Sequence, residues 1–458
     1  MSINILCLTS GNKMARTQVC IIGAGAGGIG CAYRLIKNGV SVVVVDKNAD
    51  FGGTMVFGGV DGWEPGVSLD GLHTLIREEL EKIPGGAHTV EVVPNINIFD
   101  RTAGRDWSRH SFAERPWGYS MDMGGVYEDT LGRCTSIRGA DGAFRRYQFE
   151  GEAFIKALHN IFKPYKENLT TFFGYKYKSC RTEGGKVISV TVSDGERDEE
   201  IFADIFVDAS GDIVLARDAG CAYAIGTEGR EEYGEPSADQ PDDAINGVTY
   251  VFRIAKTDDP DHVDELPEWV QDIDGWGASS AGNCVACFVE YPNGDINVNM
   301  LPTIDGREYL SLGERADEVC RRRVYLHWQG LQKKRNMQGY TLKHIFDAGI
   351  RESYRLRGKY VLREQDLRRG HVDFKTERVV AIADHALDIH GKGGMCRELE
   401  YPYEIPVECT MTNEFDNLFV ACRGASFTHI AASSSRLSRA MISMGEGVGE
   451  YISEKLNK

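Results

Sequence analysis

The sequence predicts an α/β fold in which a Rossmann-like domain carries an inserted α+β domain. Three observations support this class. An apolar run at residues 19–22 leads into a glycine-rich turn and a helical pattern, and a second strand pattern follows at 40–45. A further strand pattern at 205–208 ends in another glycine turn. The 458 residues exceed what one core usually organises, so two interleaved domains are expected.

The first glycine turn has the spacing of a dinucleotide-binding loop. Gly23 permits the tight turn, Gly25 lets a pyrophosphate approach the backbone, and Gly28 lets the helix pack closely on the strand. Asp46 ends the second strand, where an acidic side chain accepts hydrogen bonds from ribose hydroxyls. Because the start of the helix offers free N–H groups to phosphates, the pattern predicts dinucleotide binding rather than a purely structural glycine loop.

The residues after Asp46 bear on which dinucleotide is bound. Gly52, Gly53 and Thr54 form an extension that resembles the large class of FAD-dependent oxidoreductases, whose nucleotide motif is lengthened by a Gly-Gly pair. In that class the pair lies close to the ribityl and phosphate portion of the cofactor. The resemblance implies FAD. An NAD(P)-dependent dehydrogenase and a non-catalytic nucleotide-sensing module are the alternatives.

The second glycine turn extends this resemblance. Residues 205–212 look like the segment with which such flavoproteins return to the nucleotide domain, with Ser210 in place of the usual threonine. The resemblance implies that Ser210, Gly211 and Asp212 contact the cofactor. It also implies an FAD-binding domain of the glutathione reductase/fumarate reductase type.

Later segments carry the resemblance nearly to the end of the chain. They are similar to a family named FAD-dependent oxidoreductase, which is distantly similar to fumarate reductase flavoproteins. These segments are residues 351–362, 388–390 and 417–449. Residues 226–340 match only loosely. The last segment implies Arg423 and Gly424 at the cofactor, and Cys422 stands where the family has glycine.

The C-terminal segment predicts a strand at 417–421 and a helix over 437–452. The serines at 433–435 are candidates for the N-cap of that helix. The resemblance places the helix start at the pyrimidine end of the flavin, so Ser435 and Arg436 are expected at the cofactor. A surface salt bridge is the alternative for Arg436.

Two histidines are candidates for proton transfer. Hydride transfer between flavin N5 and a carbon that bears OH or NH requires a base, and the reverse reaction requires an acid. The resemblance places His429 and His390 near the flavin, with a buried structural histidine as the alternative. Arg351 and Arg355 are expected to orient a carboxylate or a hydroxyl-rich substrate. An internal ion pair with Glu352 is their alternative.

The domain boundaries follow from these placements. Residues 1–14 are expected to form an N-terminal tail. A discontinuous FAD-binding domain comprises residues 15–225 and 345–458, and residues 226–344 form the substrate or cap domain. An acidic, proline-containing stretch at 258–274 marks the excursion into this second domain.

The inserted domain is expected to contain strands at 248–254 and 296–301 and one long helix. The basic residues of that helix, at 321–323 and 333–335, are expected to form a solvated face rather than an RNA site. Its apolar stripe comprises Cys320, Val324, Trp328 and Leu331.

Two other signals are assigned no metal or redox role. Cys284 and Cys287 have the spacing of a metal site, but they lie in a strand-like run in which residues three apart face opposite sides. Structural roles are expected for them, and no metal site. Trp63 lies in a glycine-rich loop at 58–66, where stacking on the ligand as part of a lid and simple packing are both open.

Composition bounds the partners and the location. The 52 basic and 68 acidic residues give a net charge of −16, which disfavours nucleic acids and anionic membranes as partners. No apolar run is long enough to span a membrane, the first residues do not form a secretory signal, and the 12 cysteines show no dense framework. A reducing cytoplasm is therefore expected.

The expected function is that of an FAD-dependent oxidoreductase that transfers a hydride between a small organic substrate and flavin N5. Polyols, sugars, hydroxy acids and unsaturated acids are the candidate substrates. A diffusible electron acceptor or donor is expected because iron–sulfur cysteine runs are absent from the sequence. A homo-oligomer is left open. A flavin-dependent hydratase or isomerase without net redox change is a further alternative.

Overall fold

The structure is a computed structural model that describes residues 15–63, 71–91, 145–282, 285–392, 394–397, 399 and 402–458. The predicted tail at 1–14 lies outside the described residues. So does the prediction about the Cys284 and Cys287 pair, because Cys284 and the side chain of Cys287 are not among them. In the part of the chain that is described, no helix is long and apolar enough to cross a membrane.

The strands coincide largely with runs of β-branched and aromatic residues. They are β1 Ala15–Ile22, β2 Val42–Asp46, β3 Gly62–Trp63, β4 Ala87–Glu91, β5 Arg145–Phe149, β6 Leu169–Phe173, β7 Lys176–Glu183, β8 Lys186–Ser193, β9 Asp198–Asp208, β10 Tyr223–Ala224, β11 Val248–Lys256, β12 Val285–Glu290, β13 Ile296–Leu301, β14 Tyr340–Ile350, β15 Arg355–Leu356, β16 Val379–Ala383, β17 Leu387–Ile389, β18 Met395–Arg397, β19 Tyr403–Pro406 and β20 Leu418–Val420.

The longer helices follow segments with apolar residues at helical spacing. They are α1 Ala26–Lys37, α2 Leu72–Glu81, α3 Gly151–Phe162, α4 Val214–Asp218, α5 Arg230–Tyr233, α6 Trp276–Ser280, α7 Gly306–Leu312, α8 Ala316–Lys334, α9 Glu364–Arg369, α10 His429–Ser435 and α11 Ser438–Leu456.

The main sheet has the strand order β6-β2-β1-β9-β8-β7, and β20 also pairs with β9. The strands β6, β2, β1, β9 and β20 run parallel, whereas β8 and β7 extend the sheet as an antiparallel hairpin. β2, β20 and the last residues of β1 and β9 are buried apolar runs, as expected for parallel strands that are covered on both faces. This topology confirms the predicted Rossmann-like α/β fold.

Helices α1 and α11 cross in close backbone contact. A Cβ on Gly30 would lie 2.1 Å from the Ile442 carbonyl oxygen, and one on Gly445 would lie 2.0 Å from the Gly27 carbonyl oxygen. A Cβ on Gly27 would lie 1.8 Å from the Ala421 carbonyl oxygen, just after β20. Glycine at these positions therefore lets the C-terminal helix and the end of β20 lie directly against the helix of the first glycine turn.

A second apolar cluster surrounds a four-stranded antiparallel sheet of order β12-β13-β11-β14. The predicted strands at 248–254 and 296–301 are confirmed as β11 and β13. The buried stripe of α8 packs against this sheet. The solvated basic face predicted for that helix is wrong in part. Arg322 and Arg323 are buried because both pair with Asp274, at 2.9 and 3.3 Å.

Trp63 belongs to a packed aromatic cluster. Its side chain is 4% exposed and its ring stacks on that of Tyr147, with centroids 6.1 Å apart. Phe149 and Phe154 contact it edge-on at 5.4 and 6.4 Å. Of the two roles left open for Trp63, the structure therefore shows packing.

Candidate active site

The carboxyl edge of the parallel sheet gathers the predicted cofactor residues. Gly23, Asp46, Ser210 and Arg423 lie at or just beyond the ends of β1, β2, β9 and β20. Because parallel strands end at the same edge, these residues face one region of the molecule. In open α/β sheets that edge is where ligands bind.

Gly23 and Asp46 form the base of the first glycine turn. Gly23 has a φ of +111°, and a Cβ on Gly28 would lie 1.9 Å from the Gly23 carbonyl oxygen. Asp46 Oδ2 accepts a hydrogen bond from the Ala24 N–H at 2.6 Å, and burial raises the pKa of Asp46. A carboxylate has further lone pairs, so Asp46 retains acceptor capacity for ribose hydroxyls.

A cradle without side chains lies at the start of α1. The Gly52 N–H donates to the Ala24 carbonyl at 2.9 Å, so the Gly-Gly pair packs on the turn. A Cβ on Gly53 would lie 2.7 Å from Gly25 Cα, whereas a Cβ on Gly25 would meet only Gly53 Cα, at 3.9 Å, among the described residues. No described side chain caps α1, and Thr54 is exposed nearby. These features fit the pyrophosphate of FAD.

Asp212 ties the second glycine turn to the histidine region. Its carboxylate accepts hydrogen bonds from Arg423 and from the Ser353 hydroxyl, both at 2.6 Å. Gly211 has a φ of +85°, and a Cβ there would lie 2.1 Å from Nη1 of Arg423. Arg423 therefore packs against this turn. Ser353 brings the segment around Glu352 to the same Asp212 carboxylate.

Contacts within the protein constrain three neighbouring residues, Ser210, Cys422 and Gly424. The Ser210 hydroxyl donates to buried Asp208 at 2.7 Å. The Cys422 carbonyl accepts from the Ala425 N–H at 2.9 Å, which closes a tight turn. Burial raises the pKa of the Cys422 thiol to about 12, so it stays protonated. A Cβ on Gly424 would lie 2.9 Å from a backbone carbonyl oxygen, so this position requires glycine.

His429 is the first residue of α10 and is 4% exposed. Its Nδ1 lies 2.8 and 3.0 Å from the two carboxylate oxygens of Glu352. Burial alone would raise the pKa of Glu352, but His429 and Arg355 hold it below its ordinary value. An ionised Glu352 accepts only, so Nδ1 carries the proton and the neutral ring presents its lone pair at Nε2.

His390 follows β17 and is paired with a different carboxylate. Its Nε2 lies 2.7 Å from Asp388 Oδ2, which also accepts from Arg436 at 2.9 Å. Burial lowers the pKa of His390. Burial alone would raise the pKa of Asp388, but His390 and Arg436 hold it below its ordinary value. Arg436 thus forms a salt bridge, which was the alternative to a role at the cofactor, and it does so in a partly buried position.

Asn246 links the two histidines and was missed by the sequence analysis. Its backbone N–H donates to Glu352 Oε2 at 2.9 Å, and its Oδ1 accepts from the His390 N–H at 2.7 Å. The residue is fully buried, and its Nδ2 has no hydrogen-bond partner among the described residues. Asn246 therefore connects the segment that carries His390 with the carboxylate that binds His429. Asn246 could not be identified from the sequence, because it belongs to no motif and lies in a segment that resembles the family only loosely.

The two predicted arginines differ in their surroundings. Arg355 is 1% exposed and pairs with Glu352 and, at 2.6 Å, with Glu228. This is the internal ion pair that was the alternative for Arg355. The guanidinium is bonded to two carboxylates of the protein, so its geometry does not support the expected role in orienting a substrate. Arg351 is partly buried and donates to the Thr249 hydroxyl at 2.7 Å.

The long C-terminal helix predicted over 437–452 is present and begins at Ser438, but a short helix that was not predicted precedes it. Thr428 caps this short helix by accepting from the Ala431 N–H at 3.2 Å. Ser435 lies fully buried inside the first helix, where its hydroxyl donates to the Ala431 carbonyl at 2.9 Å. The N-cap predicted at 433–435 is wrong because these serines are helical and their hydroxyls bond within the protein.

A buried carboxyl group supports the start of α10. Glu235 is 1% exposed and accepts hydrogen bonds from the Thr428 hydroxyl at 2.6 Å and the Glu364 N–H at 2.8 Å. Burial raises the pKa of Glu235 to about 7. Glu235 could not be identified from the sequence, because an acidic residue in an acidic, glycine-containing loop is typical of a surface.

Glu235→Gln is expected to stabilise the protein more at pH 8 than at pH 5. The folded state binds the Glu235 proton more tightly than the unfolded state, so stability falls as the pH rises from the ordinary pKa of 4.5 to about 7. Glutamine has no such proton, and the gain reaches at most about 3 kcal/mol. Thermal unfolding of the FAD-loaded parent and variant between pH 5 and pH 8 measures it. A difference in Tm that does not change with pH would contradict the prediction.

The fold and the cradle define a dinucleotide-binding α/β protein of the flavoprotein kind. A sequence model of the family described as FAD dependent oxidoreductase matches residues 18–456. The chain belongs to this family. FAD as the cofactor and the oxidoreductase class are thereby confirmed, and the NAD(P)-dependent alternative is set aside.

Characterised relatives match only parts of the chain. The 4-oxocyclohex-2-ene-1-carboxylate 5-dehydrogenase of Sinomonas cyclohexanicum is 28% identical over 127 residues, which cover 25% of this chain and 21% of that protein. The glutamate synthase (NADPH) small chain of Escherichia coli strain K12 is 47% identical over 49 residues, 11% of this chain and 10% of that protein. The matches thus span about a fifth or less of these relatives.

Solved structures are similar over most of the chain at low identity. A geranylgeranyl bacteriochlorophyll reductase-like protein from Thermoplasma acidophilum is 13% identical, with a TM-score of 0.43, over 97% of this chain and 80% of that one. A flavoprotein/dehydrogenase from Cytophaga hutchinsonii is 13% identical, with a TM-score of 0.43, over 96% and 79%. Neither similarity bears on the reaction of this chain.

Proposed function

We propose that this chain transfers a hydride between a small organic substrate and flavin N5, with His429 as the proton-transfer residue. The pair of His429 and Glu352 supports this proposal most directly, because the buried carboxylate takes Nδ1–H and leaves Nε2 for a ligand. The pair also adjoins the cofactor residues. Ser353, the chain neighbour of Glu352, donates to Asp212, and Arg423 binds the same carboxylate.

The side chains of the site divide the work as follows. FAD, when bound, accepts or returns the two electrons. His429 Nε2 accepts the proton of a substrate hydroxyl or amine during oxidation and returns it during reduction. Arg351 is the proposed anchor for a carboxylate or hydroxyl group of the substrate. His390 is the second candidate for proton transfer, although its Nε2 is already bonded to Asp388.

The proposed FAD contacts are the residues that the sheet edge gathers and two residues at the junction of α10 and α11. Ser210 and Ser435 have hydroxyls engaged within the protein, so they would offer backbone groups. The proposed set is Gly23, Gly25, Gly28, Asp46, Gly52, Gly53, Thr54, Ser210, Gly211, Asp212, Arg423, Gly424, Ser435 and Arg436.

We propose the same division of labour for the domains. Residues 15–225 and 345–458 bind FAD, and residues 226–344 contribute to substrate binding. The separate apolar cluster around β11, β13 and α8 supports this division, and β14, at Tyr340–Ile350, carries that cluster a few residues past 344. The proposed redox partner is a diffusible acceptor or donor. The free thiols of the described cysteines suit a reducing, cytoplasmic location.

An anaerobic substrate panel tests the proposal. FAD-loaded protein is mixed with polyols, sugars and hydroxy acids while the visible flavin absorbance is followed, and bleaching identifies an electron donor. Unsaturated acids are mixed with dithionite-reduced protein, where recovery of absorbance identifies an electron acceptor. His429→Ala is run in parallel as the matched variant. A product that forms without any absorbance change in the parent would assign a hydratase or isomerase instead.

A further inference from the structure

The side chain and the backbone of His429 are held by one ring of charged residues, the His429 clamp, formed by Glu352, Arg355 and Glu228. Glu352 accepts from His429 Nδ1 at 2.8 Å and from Arg355. Arg355 also donates to Glu228 Oε1 at 2.6 Å, and Glu228 Oε2 accepts from the His429 backbone N–H at 2.8 Å. The ring therefore closes on the histidine from two sides.

The clamp is anchored independently of the histidine. Arg355 donates to the Phe427 carbonyl at 3.1 Å and to the Gly226 carbonyl at 2.7 Å. The Asn246 N–H gives Glu352 a third donor at 2.9 Å. These contacts hold the Glu352 carboxylate in place. A hydrogen bond from His429 to this carboxylate therefore fixes the plane of the imidazole ring.

The charges of the clamp suit a histidine that gains a proton. Two carboxylates and one guanidinium leave a net charge of −1, and each member is at most 6% exposed. A buried excess of negative charge stabilises an adjacent cation, and the ring of His429 is in contact with it. One more carboxyl group, Glu235, faces this region through its hydrogen bond to Thr428, which directly precedes His429.

We propose that Glu352 is the positioning residue of His429, with Arg355 and Glu228 holding it in place. It keeps the proton of the neutral ring on Nδ1, turns Nε2 towards the ligand, and stabilises the imidazolium that forms when Nε2 takes the substrate proton. This inference rests on the proposed function, which it deepens by assigning the group that sets the state of the base.

The tautomer of His429 tests the proposal without any substrate. FAD-loaded protein is labelled with ¹⁵N-histidine, and His429→Asn assigns the ring signals. We expect the neutral ring of the parent to carry its proton on Nδ1. In Glu352→Gln we expect this preference to be lost. A proton on Nε2 in the parent would overturn the proposal, and this measurement depends on the parent protein alone. An unchanged tautomer in Glu352→Gln would also overturn it.

The rate of flavin reduction supplies the second readout. With a substrate found in the panel, we expect Glu352→Gln to slow the reaction about 10²-fold. Glu352→Asp, which keeps the charge, should recover part of the rate. Glu364→Gln is the matched control. Glu364 is fully buried but bonds to Ser237 and Arg368 instead of His429, so rate and tautomer should stay parental.

The two readouts separate this inference from the proposed function. Loss of the Nδ1–H preference in Glu352→Gln, combined with a parental rate in His429→Ala, would refute the proposed role of His429 in catalysis. An unchanged tautomer in Glu352→Gln, combined with an inactive His429→Ala, would refute the role of Glu352 alone.

Discussion

Gly25→Val is expected to give a folded protein that no longer retains FAD. Gly25 has a φ of −76°, which valine adopts, and a Cβ there would meet only Gly53 Cα, at 3.9 Å, in the described part of the chain. The fold therefore accepts the side chain, whereas its methyl groups occupy the space in which the pyrophosphate approaches the backbone. We expect a loss of affinity of about 100-fold or more, measured by titration of apoprotein with FAD.

Gly28→Ala provides the contrast that isolates the cofactor effect. A Cβ on Gly28 would lie 1.9 Å from the Gly23 carbonyl oxygen, so this variant is expected to disturb the turn itself and to lower the Tm of the apoprotein. Gly25→Val should leave that Tm close to the parental value. Parental FAD affinity in Gly25→Val would show that the first glycine turn is not the pyrophosphate site.

The nucleotide-binding unit could be predicted because its signals are local. Gly23 and Gly28 act on each other across a single turn, and the strands before and after α1 are continuous apolar runs. Periodicity and glycine spacing record such short-range requirements directly. The structure accordingly has β1, the turn, α1 and β2 at the predicted residues.

Of the clamp, only the pair of Glu352 and Arg355 was foreseen, as an alternative, because these residues are three positions apart. The other contacts join residues that are distant in the chain. Glu228 and His429 are 201 positions apart, and Asn246 and His390 are 144 apart. A charged residue in a polar segment predicts exposure, and only a partner brought from elsewhere in the fold reverses that expectation. Arg322 shows the same effect, since Asp274, 48 positions away, allows it to be buried.

The short helix at His429–Ser435 was missed for a related reason. The serines at 433–435 precede a long apolar pattern, which is the usual signal of an N-cap. In the structure their segment is helical because Thr428 caps it and because Tyr403 binds the Ser434 hydroxyl at 2.7 Å. The partner comes from β19, and a local pattern of serines carries no information about it.

His429→Ala is expected to slow substrate-driven flavin reduction by about 10²–10⁴-fold while the protein stays folded and yellow. The substitution removes Nε2, the ring nitrogen that does not bond to Glu352. It keeps the backbone N–H, which donates a hydrogen bond to Glu228. Anaerobic stopped-flow measurement of flavin absorbance, with a substrate found in the panel, gives the rate. Added imidazole should restore part of it, because alanine leaves space for a small base beside the Glu352 carboxylate.

His390→Ala is the matched variant, since it removes a partly buried imidazole from the same proposed site. We expect it to keep the acidic limb of the pH–rate profile, whereas His429→Ala should flatten that limb because the group that loses its function on protonation is gone. A parental rate in His429→Ala with a slow His390→Ala would exchange the two roles. Parental rates in both would assign the proton to water or to a substrate group. Loss of FAD from His429→Ala would make its effect on turnover indirect, and the flavin content of each purified variant is therefore measured before its rate.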